Sequence, residues 1–178
     1  MNVHEFDLQP TLHGHLIDVR PLEPADFESL FAAASDPLIW EQHPDRDRYK
    51  REVFQKFFDT GMECKGAFAV IDRKSGRVIG SSRYCNLDPA KREVEIGWTF
   101  LERAYWGGLY NSELKKLMID HAFQFVDRVV FVVGAGNMRS QKALQKIGAR
   151  VIGKKESQGT SGSLIPSIVF GLDAADHT

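Results

Sequence analysis

Val94-Glu95-Ile96-Gly97-Trp98-Thr99-Phe100-Leu101 is followed, after a short connection, by Tyr105-Trp106-Gly107-Gly108-Leu109-Tyr110-Asn111-Ser112-Glu113. The first stretch alternates as a strand does, with Glu93, Glu95 and Gly97 on one face and Val94, Ile96 and Trp98 on the other. From Asn111 the period changes to 3.6, and Leu114, Leu117, Met118, His121, Ala122 and Phe125 form one apolar stripe, with Asn111 as N-cap and Glu113 in the first turn. A strand that runs through glycines into a long helix makes an anion site. Unpaired N–H groups of the first helical turn converge on one point, and the helix dipole favours negative charge there. Glycine lets a phosphate approach the amides closely. Gly107 and Gly108 equally suit a plain tight turn, so this segment alone leaves both readings open.

Downstream, Val129–Val133 reads as a buried strand ending in Gly134-Ala135-Gly136, and Ser140–Ile147 as a short helix closed by Gly148. Arg150–Glu156 and Ser163–Leu172 follow as two strands. Upstream of the opening stretch, whose strand begins at Arg92, lie strands Ala67–Asp72 and Val78–Leu87, joined by a turn at Arg73–Gly76. His15–Pro21 is a first strand. A helix after Pro24 carries Phe27, Leu30, Phe31 and Ala34 at helical spacing and stops at Asp36-Pro37. A second, from about Asp47 to Gly61, turns Val53, Phe54, Phe57 and Phe58 inward. The order βααβββαβαββ predicts a mixed α/β sheet with helices on both faces, in one domain spanning residues 1–178, with loosely held ends at 1–12 and 173–178.

The 178 residues carry 23 basic and 24 acidic side chains, and 43% are hydrophobic. Such a balance suits a globular core and speaks against a general nucleic-acid binder. Two cysteines, Cys64 and Cys85, without CxxC spacing indicate no disulfide framework, and no signal peptide or membrane span is visible. The expected location is the cytoplasm. Six histidines are scattered, so no metal site is expected; His121, on the apolar stripe, reads as a core residue. The glycine turn lacks GxGxxG and the N-terminus lacks a βαβ unit, which excludes a dinucleotide-binding oxidoreductase.

A second element joins the first: Asn137-Met138-Arg139-Ser140 opens a helix that runs to Gly148-Ala149. With this pair, and with Val19-Arg20-Pro21-Leu22 and Ser35-Asp36-Pro37-Leu38-Ile39-Trp40, nearly the whole chain resembles the GNAT superfamily of N-acyltransferases, in its RimJ/RimL-like branch. The resemblance implies a mostly antiparallel sheet with a splayed central parallel pair, and acetyl-CoA as co-substrate. Trp106, Gly107, Gly108, Leu109, Tyr110 and Asn111 would cradle the pyrophosphate. Thr99, Phe100 and Leu101 would face the pantetheine arm, and Asn137 and Ser140 would lie beside the thioester. The superfamily pattern Gln/Arg-x-x-Gly-x-Gly/Ala has Leu109 at its central glycine here and Asn111 at its last small residue. The tyrosine that often protonates the leaving thiolate falls at Leu144; in this branch a serine at the position of Ser140 fills that role.

Acyl transfer needs an uncharged amine, and a positioned carboxylate can take its proton. Glu95 is the candidate base and Glu93 the fallback, while N–H groups from Thr99 to Leu101 are candidates to hold the oxyanion. Trp40, Tyr49 and Arg83 are candidate walls of an acceptor pocket, although aromatic residues such as Trp40 and Tyr49 also suit core packing. The expected acceptor is a small-molecule amine or a peptide N-terminus, with no nucleic acid and no membrane involved. Edge strands near residues 150–172 suit a homodimer. The alternative is a non-catalytic coenzyme A-binding module of the same fold.

Overall fold

The computed structural model describes residues 2–159 and 162–177. Eight strands form one sheet: β1 (Leu12–His13), β2 (Ile17–Pro21), β3 (Ala67–Asp72), β4 (Val78–Asp88), β5 (Glu93–Leu101), β6 (Arg128–Gly134), β7 (Arg150–Gln158) and β8 (Leu164–Asp173). Their spatial order is β1-β2-β3-β4-β5-β6-β8-β7. Every neighbouring pair is antiparallel except β5 with β6, which is parallel. The mixed sheet is what the order of elements predicts, and its mostly antiparallel pairing with one central parallel pair is what the resemblance implies.

Helices α1 (Phe27–Ala34) and α2 (Arg51–Cys64) cover one face of the sheet. They bury Leu30, Ala34, Phe54, Phe57 and Phe58 against Ala67, Ala69 and Phe100. On the opposite face α3 (Leu109–Ala122) and α4 (Met138–Lys146) pack Leu114, Met118, Ile119 and Leu144 on Val94, Ile96, Val129 and Phe131. Removal of this apolar area from water on both faces is the main drive for the layered fold. Among the described residues, no helix is long and apolar enough to cross a membrane.

Several local expectations are corrected. Helix α2 starts at Arg51, because an Arg48–Asp45 ion pair at 2.7 Å and an extended Lys50 keep the preceding residues out of the helix. It runs past Gly61, which serves packing: a β-carbon there would lie 3.0 Å from the Arg83 guanidinium. Contacts tie down part of each segment expected to be loose. Val3 and Phe6 are buried, and the Phe6 ring stacks on Phe125 with centroids 4.9 Å apart. At the other end, His177 Nε2 lies 2.7 Å from Asp120 Oδ1.

Candidate active site

Strands β5 and β6 pair only as Glu93 with Arg128, Val94 with Val129 and Glu95 with Val130. Beyond Glu95 they part, although β5 continues to Leu101 and β6 to Gly134. The β5 edge from Ile96 onward therefore presents backbone N–H and C=O groups to an open wedge, a ready template for an extended amide-bearing chain. A β-bulge lies at the head of the wedge. The register with β4 slips between Arg83–Gly97 and Ser81–Phe100, and Trp98 takes φ +52°. The bulge turns Trp98 to the α2 face, where its ring lies 5.2 Å from the Arg83 guanidinium. Trp98 is thus opposite Val94 and Ile96, which corrects the simple alternation read from sequence.

At the far end of the wedge the chain enters α3. Gly107 and Gly108 have φ of +116° and +103°, and a β-carbon at either would meet nothing within 4 Å. Glycine is needed there for the left-handed turn and not for space. Helix α3 begins at Leu109 with Gly108 as N-cap, so Asn111 is inside the first turn and is not the cap. With a glycine cap no side chain covers the amides of Leu109, Tyr110 and Asn111, and the first bond back is Ser112 N–H to Gly108 C=O at 2.8 Å. Leu109 is 75% exposed, so its isobutyl group points to solvent and leaves those amides uncovered. Bare amides at the positive end of a helix dipole fit a diphosphate. Tyr110 packs edge-on against Tyr105 at 5.0 Å, and Tyr105 in turn reaches Asp72. Glu113, just past the first turn of α3 and not in it as expected, accepts the N–H groups of His15, Leu16 and Ile17 at 2.8, 2.7 and 2.9 Å, which ties the helix to the N-terminal hairpin.

Two basic residues border the wedge, and neither is singled out by the sequence pattern. Lys115 is 8% exposed; its Nζ donates to Thr99 Oγ1 at 3.2 Å and lies 5.5 Å from the Phe131 ring, between the two parting strands. Burial draws its ammonium down to about 8. Arg139, in the first turn of α4, stacks its guanidinium 3.9 Å over the Trp106 ring and donates to Ile39 C=O at 3.2 Å. It bridges the starts of α3 and α4. Asn137 caps α4 by accepting the Ser140 N–H at 3.3 Å, and among the described residues nothing bonds the Ser140 hydroxyl. Leu144 is buried in the core below and supplies no proton.

Glu95 stands where the strands separate. Its side chain is on the α2 face, beside Cys85 across the antiparallel pair. It is 6% exposed and accepts one bond, from Asn86 Nδ2 at 2.7 Å. Burial pushes its carboxyl above the ordinary range, against the opposing pull of that bond and of the Lys155 charge. A carboxylate so raised is a better base than an exposed one. Glu93, the fallback, is half-buried and pairs with Arg128 below the point of parting.

On the same face, α2 and the β7–β8 tip enclose a cleft of about 540 Å³ lined by Thr60, Cys64, Arg83, Cys85, Trp98 and Gln158 among others. Of the three residues expected to wall an acceptor pocket, Arg83 lines this cleft. Trp40 does not: it is 2% exposed, its Nε1 donates to Ala34 C=O at 2.9 Å, and its ring packs on Phe100. The packing reading holds for it, because burial of an indole with its N–H satisfied leaves nothing to present. Tyr49 is half-buried against the same aromatic cluster and is not among the lining residues.

Comparison with known proteins bears on this geometry. The sequence model of the acetyltransferase (GNAT) domain family matches residues 17–150. The chain is 26% identical over 170 residues to an uncharacterized N-acetyltransferase p20 of Bacillus licheniformis, covering 91% of this chain and 95% of that protein. A GCN5-related N-acetyltransferase from Brucella melitensis superposes with TM-score 0.82 at 21% identity, over 94% of this chain and 80% of that one. Mycobacterium smegmatis RimJ, solved with CoA-disulfide, gives TM-score 0.71 at 17% identity, over 99% of this chain and 91% of that one. The spermidine N-acetyltransferase of Vibrio cholerae, solved with CoA and spermine, gives TM-score 0.69 at 12% identity, over 92% of this chain and 98% of that one. At these identities the solved structures establish a common fold.

Proposed function

The chain belongs to the acetyltransferase (GNAT) family and is an N-acetyltransferase, and from that premise we propose direct transfer of acetyl from acetyl-CoA to a primary amine, with Glu95 as general base. The observation that carries the reading is the parting of β5 and β6 directly after Glu95, which puts a buried carboxylate at the head of an open strand edge. When bound, acetyl-CoA supplies the thioester carbonyl as electrophile. The β5 edge from Thr99 to Leu101 holds the pantetheine amides, and the amides of Leu109, Tyr110 and Asn111 hold the diphosphate. Lys115 and Arg139 add positive charge along the same path. Glu95 takes the proton from the acceptor amine, and backbone N–H groups near the bulge receive charge on the carbonyl oxygen. The free hydroxyl of Ser140 holds the proton destined for the leaving sulfur.

The acceptor is a small amine or a peptide N-terminus, seated on the α2 face beside Glu95. The RimJ/RimL-like branch is the finer assignment within the family, supported by the pattern Asn137-Met138-Arg139-Ser140 and the free Ser140 hydroxyl. Pairing of two chains along β7, the outermost strand, belongs to the same proposal and is supported by the exposed Val151 and Ile152.

Thermal shift with acetyl-CoA, coenzyme A and NADPH tests binding, and free-thiol release with a panel of amines tests transfer. The expected result is a rise in melting temperature with the two coenzyme A species alone, together with amine-dependent thiol release. Ser140→Ala lowers turnover at least about tenfold with the acetyl-CoA dissociation constant within about twofold of wild type. Equal turnover in that variant removes Ser140 from the reaction.

A further inference from the structure

The cleft beside Glu95 contains a cation that the protein leaves without a carboxylate. Arg83 is 3% exposed. Its guanidinium lies 4.6 Å from the Phe57 ring and 5.2 Å from the Trp98 ring, donating to Thr60 Oγ1 at 3.2 Å and to the Phe57 carbonyl. Both acceptors are neutral. Its Nε–H has no hydrogen-bond partner, and Arg83 forms no ion pair among the described residues. Burial draws the guanidinium down only to about 10, so it stays charged at neutral pH. A buried cation faced only by the Cys64 and Cys85 thiols is costly to a fold, and a well-placed carboxylate offsets that cost.

The other charges at the cleft nearly cancel, which leaves Arg83 as the surplus. Lys56 and Arg48 line it as well, Arg48 already paired to Asp45, and Asp59 is the one carboxylate among the lining residues. The surplus Arg83 charge disfavours a polycation. It also disfavours the ammonium form of any amine held there, and so raises the fraction present as the neutral nucleophile. A guanidinium with spare N–H groups matches a planar carboxylate better than a point charge does. Arg83 is opposite Gly97 across β4–β5, two residues along the same face from the Cys85–Glu95 pair. Cys85, the cross-strand partner of Glu95, lines the cleft with Arg83, which sets the cation one rung of the same face from the base.

Resting on the acyl-transfer reading, we infer that the acceptor is a small amine that also carries a carboxylate, which Arg83 receives in the cleft under α2 while Glu95 deprotonates the amine. The transfer itself balances: the N–C bond forms, the S–C bond breaks with its electron pair on sulfur, the amine proton passes to Glu95, the thiolate takes the Ser140 proton, and water returns one to Ser140 as Glu95 releases its own.

The test uses the full chain and matched acceptors: phenylalanine against phenethylamine, β-alanine against propylamine, and spermidine. Wild type is expected to show at least about tenfold higher kcat/KM for each carboxylated member, carried in KM, and negligible turnover of spermidine. In Arg83→Met that ratio falls to near one, and Arg83→Lys restores part of it. Equal rates within each pair in wild type, or a ratio unmoved by Arg83→Met, overturns the inference and leaves the Cys64 thiol, the more acidic of the Cys64–Cys85 pair, as the group that answers the guanidinium. If no amine is turned over, the acyl-transfer reading is what fails. Calorimetric binding of N-acetylphenylalanine against N-acetylphenethylamine, with coenzyme A present, then decides the anion seat: tighter binding of the carboxylate in wild type alone upholds it, and equal or no binding overturns it.

Discussion

Glu95 and Lys115 are buried charges of opposite sign, and each leaves a signature in both stability and activity. The Glu95 carboxyl is raised in the fold, so its stabilising contribution is whole below the ordinary carboxylate range and is lost as pH rises through the raised value. Above that raised value the fold holds a carboxylate it disfavours. Glu95→Gln is expected to raise the melting temperature at pH 7 while lowering kcat/KM by about 10² to 10⁴. The acid limb of the wild-type pH profile falls above the usual carboxylate range and disappears in the variant; calorimetry and pH-rate curves check both halves. For Lys115 the folded value is about 8 against 10.5 for the free side chain, so its contribution is present above 10.5 and lost as pH falls through 8. Lys115→Met should stabilise the protein at pH 7, lose that advantage near pH 10.5, and weaken coenzyme A binding severalfold in a titration. Neither burial is legible in the sequence. The apolar stripe read from spacing runs through Leu117 and His121, whereas the helix rotates to bury Lys115 and Ile119, a choice made by the strands beneath it. Arg83 is named as a candidate wall residue from the sequence; that it lacks a carboxylate partner is a tertiary fact.

The turn into α3 is the element on which cofactor affinity depends. Ala at Gly107 or Gly108 meets no neighbour, so its cost is the left-handed backbone alone, about 1 kcal/mol. Gly76 in the β3–β4 hairpin, at φ +73° and equally open, is the control. All three Ala variants should lose similar stability in urea unfolding, and only those at Gly107 and Gly108 should lose acetyl-CoA affinity, by about tenfold. The strand–glycine–helix element was readable from residue types, since few other patterns switch period across two glycines. Its fine placement was not. Asn111 is a good cap by type, but the paired glycines let the helix begin three residues earlier. Trp98 misled for a related reason: a bulge inserts one residue, and alternation counted past it lands on the wrong face.

At the scale of the whole molecule, layer order and helix faces follow from hydrophobic periods, whereas the sequence order alone does not say that β8 lies between β6 and β7. That placement makes β7 an edge. Light scattering should give about twice the 20.1 kDa chain mass, reverting to one chain in Val151→Lys, because an edge charge opposes strand pairing. A monomeric wild type would end the pairing proposal. The parted strands carry one more consequence, for the order in which the domain assembles. Strands β1 to β5 join sequence neighbours through short connections apart from the α1–α2 crossover, as β7 and β8 do at the other end, and local ladders of this kind close quickly. The two halves then meet along a seam of three parallel rungs, at Glu93, Val94 and Glu95. Apart from the two-rung β1–β2 edge, that seam is the shortest ladder of the sheet, so the groove opens where the two halves are least joined, and a ligand laid across it acts as a suture.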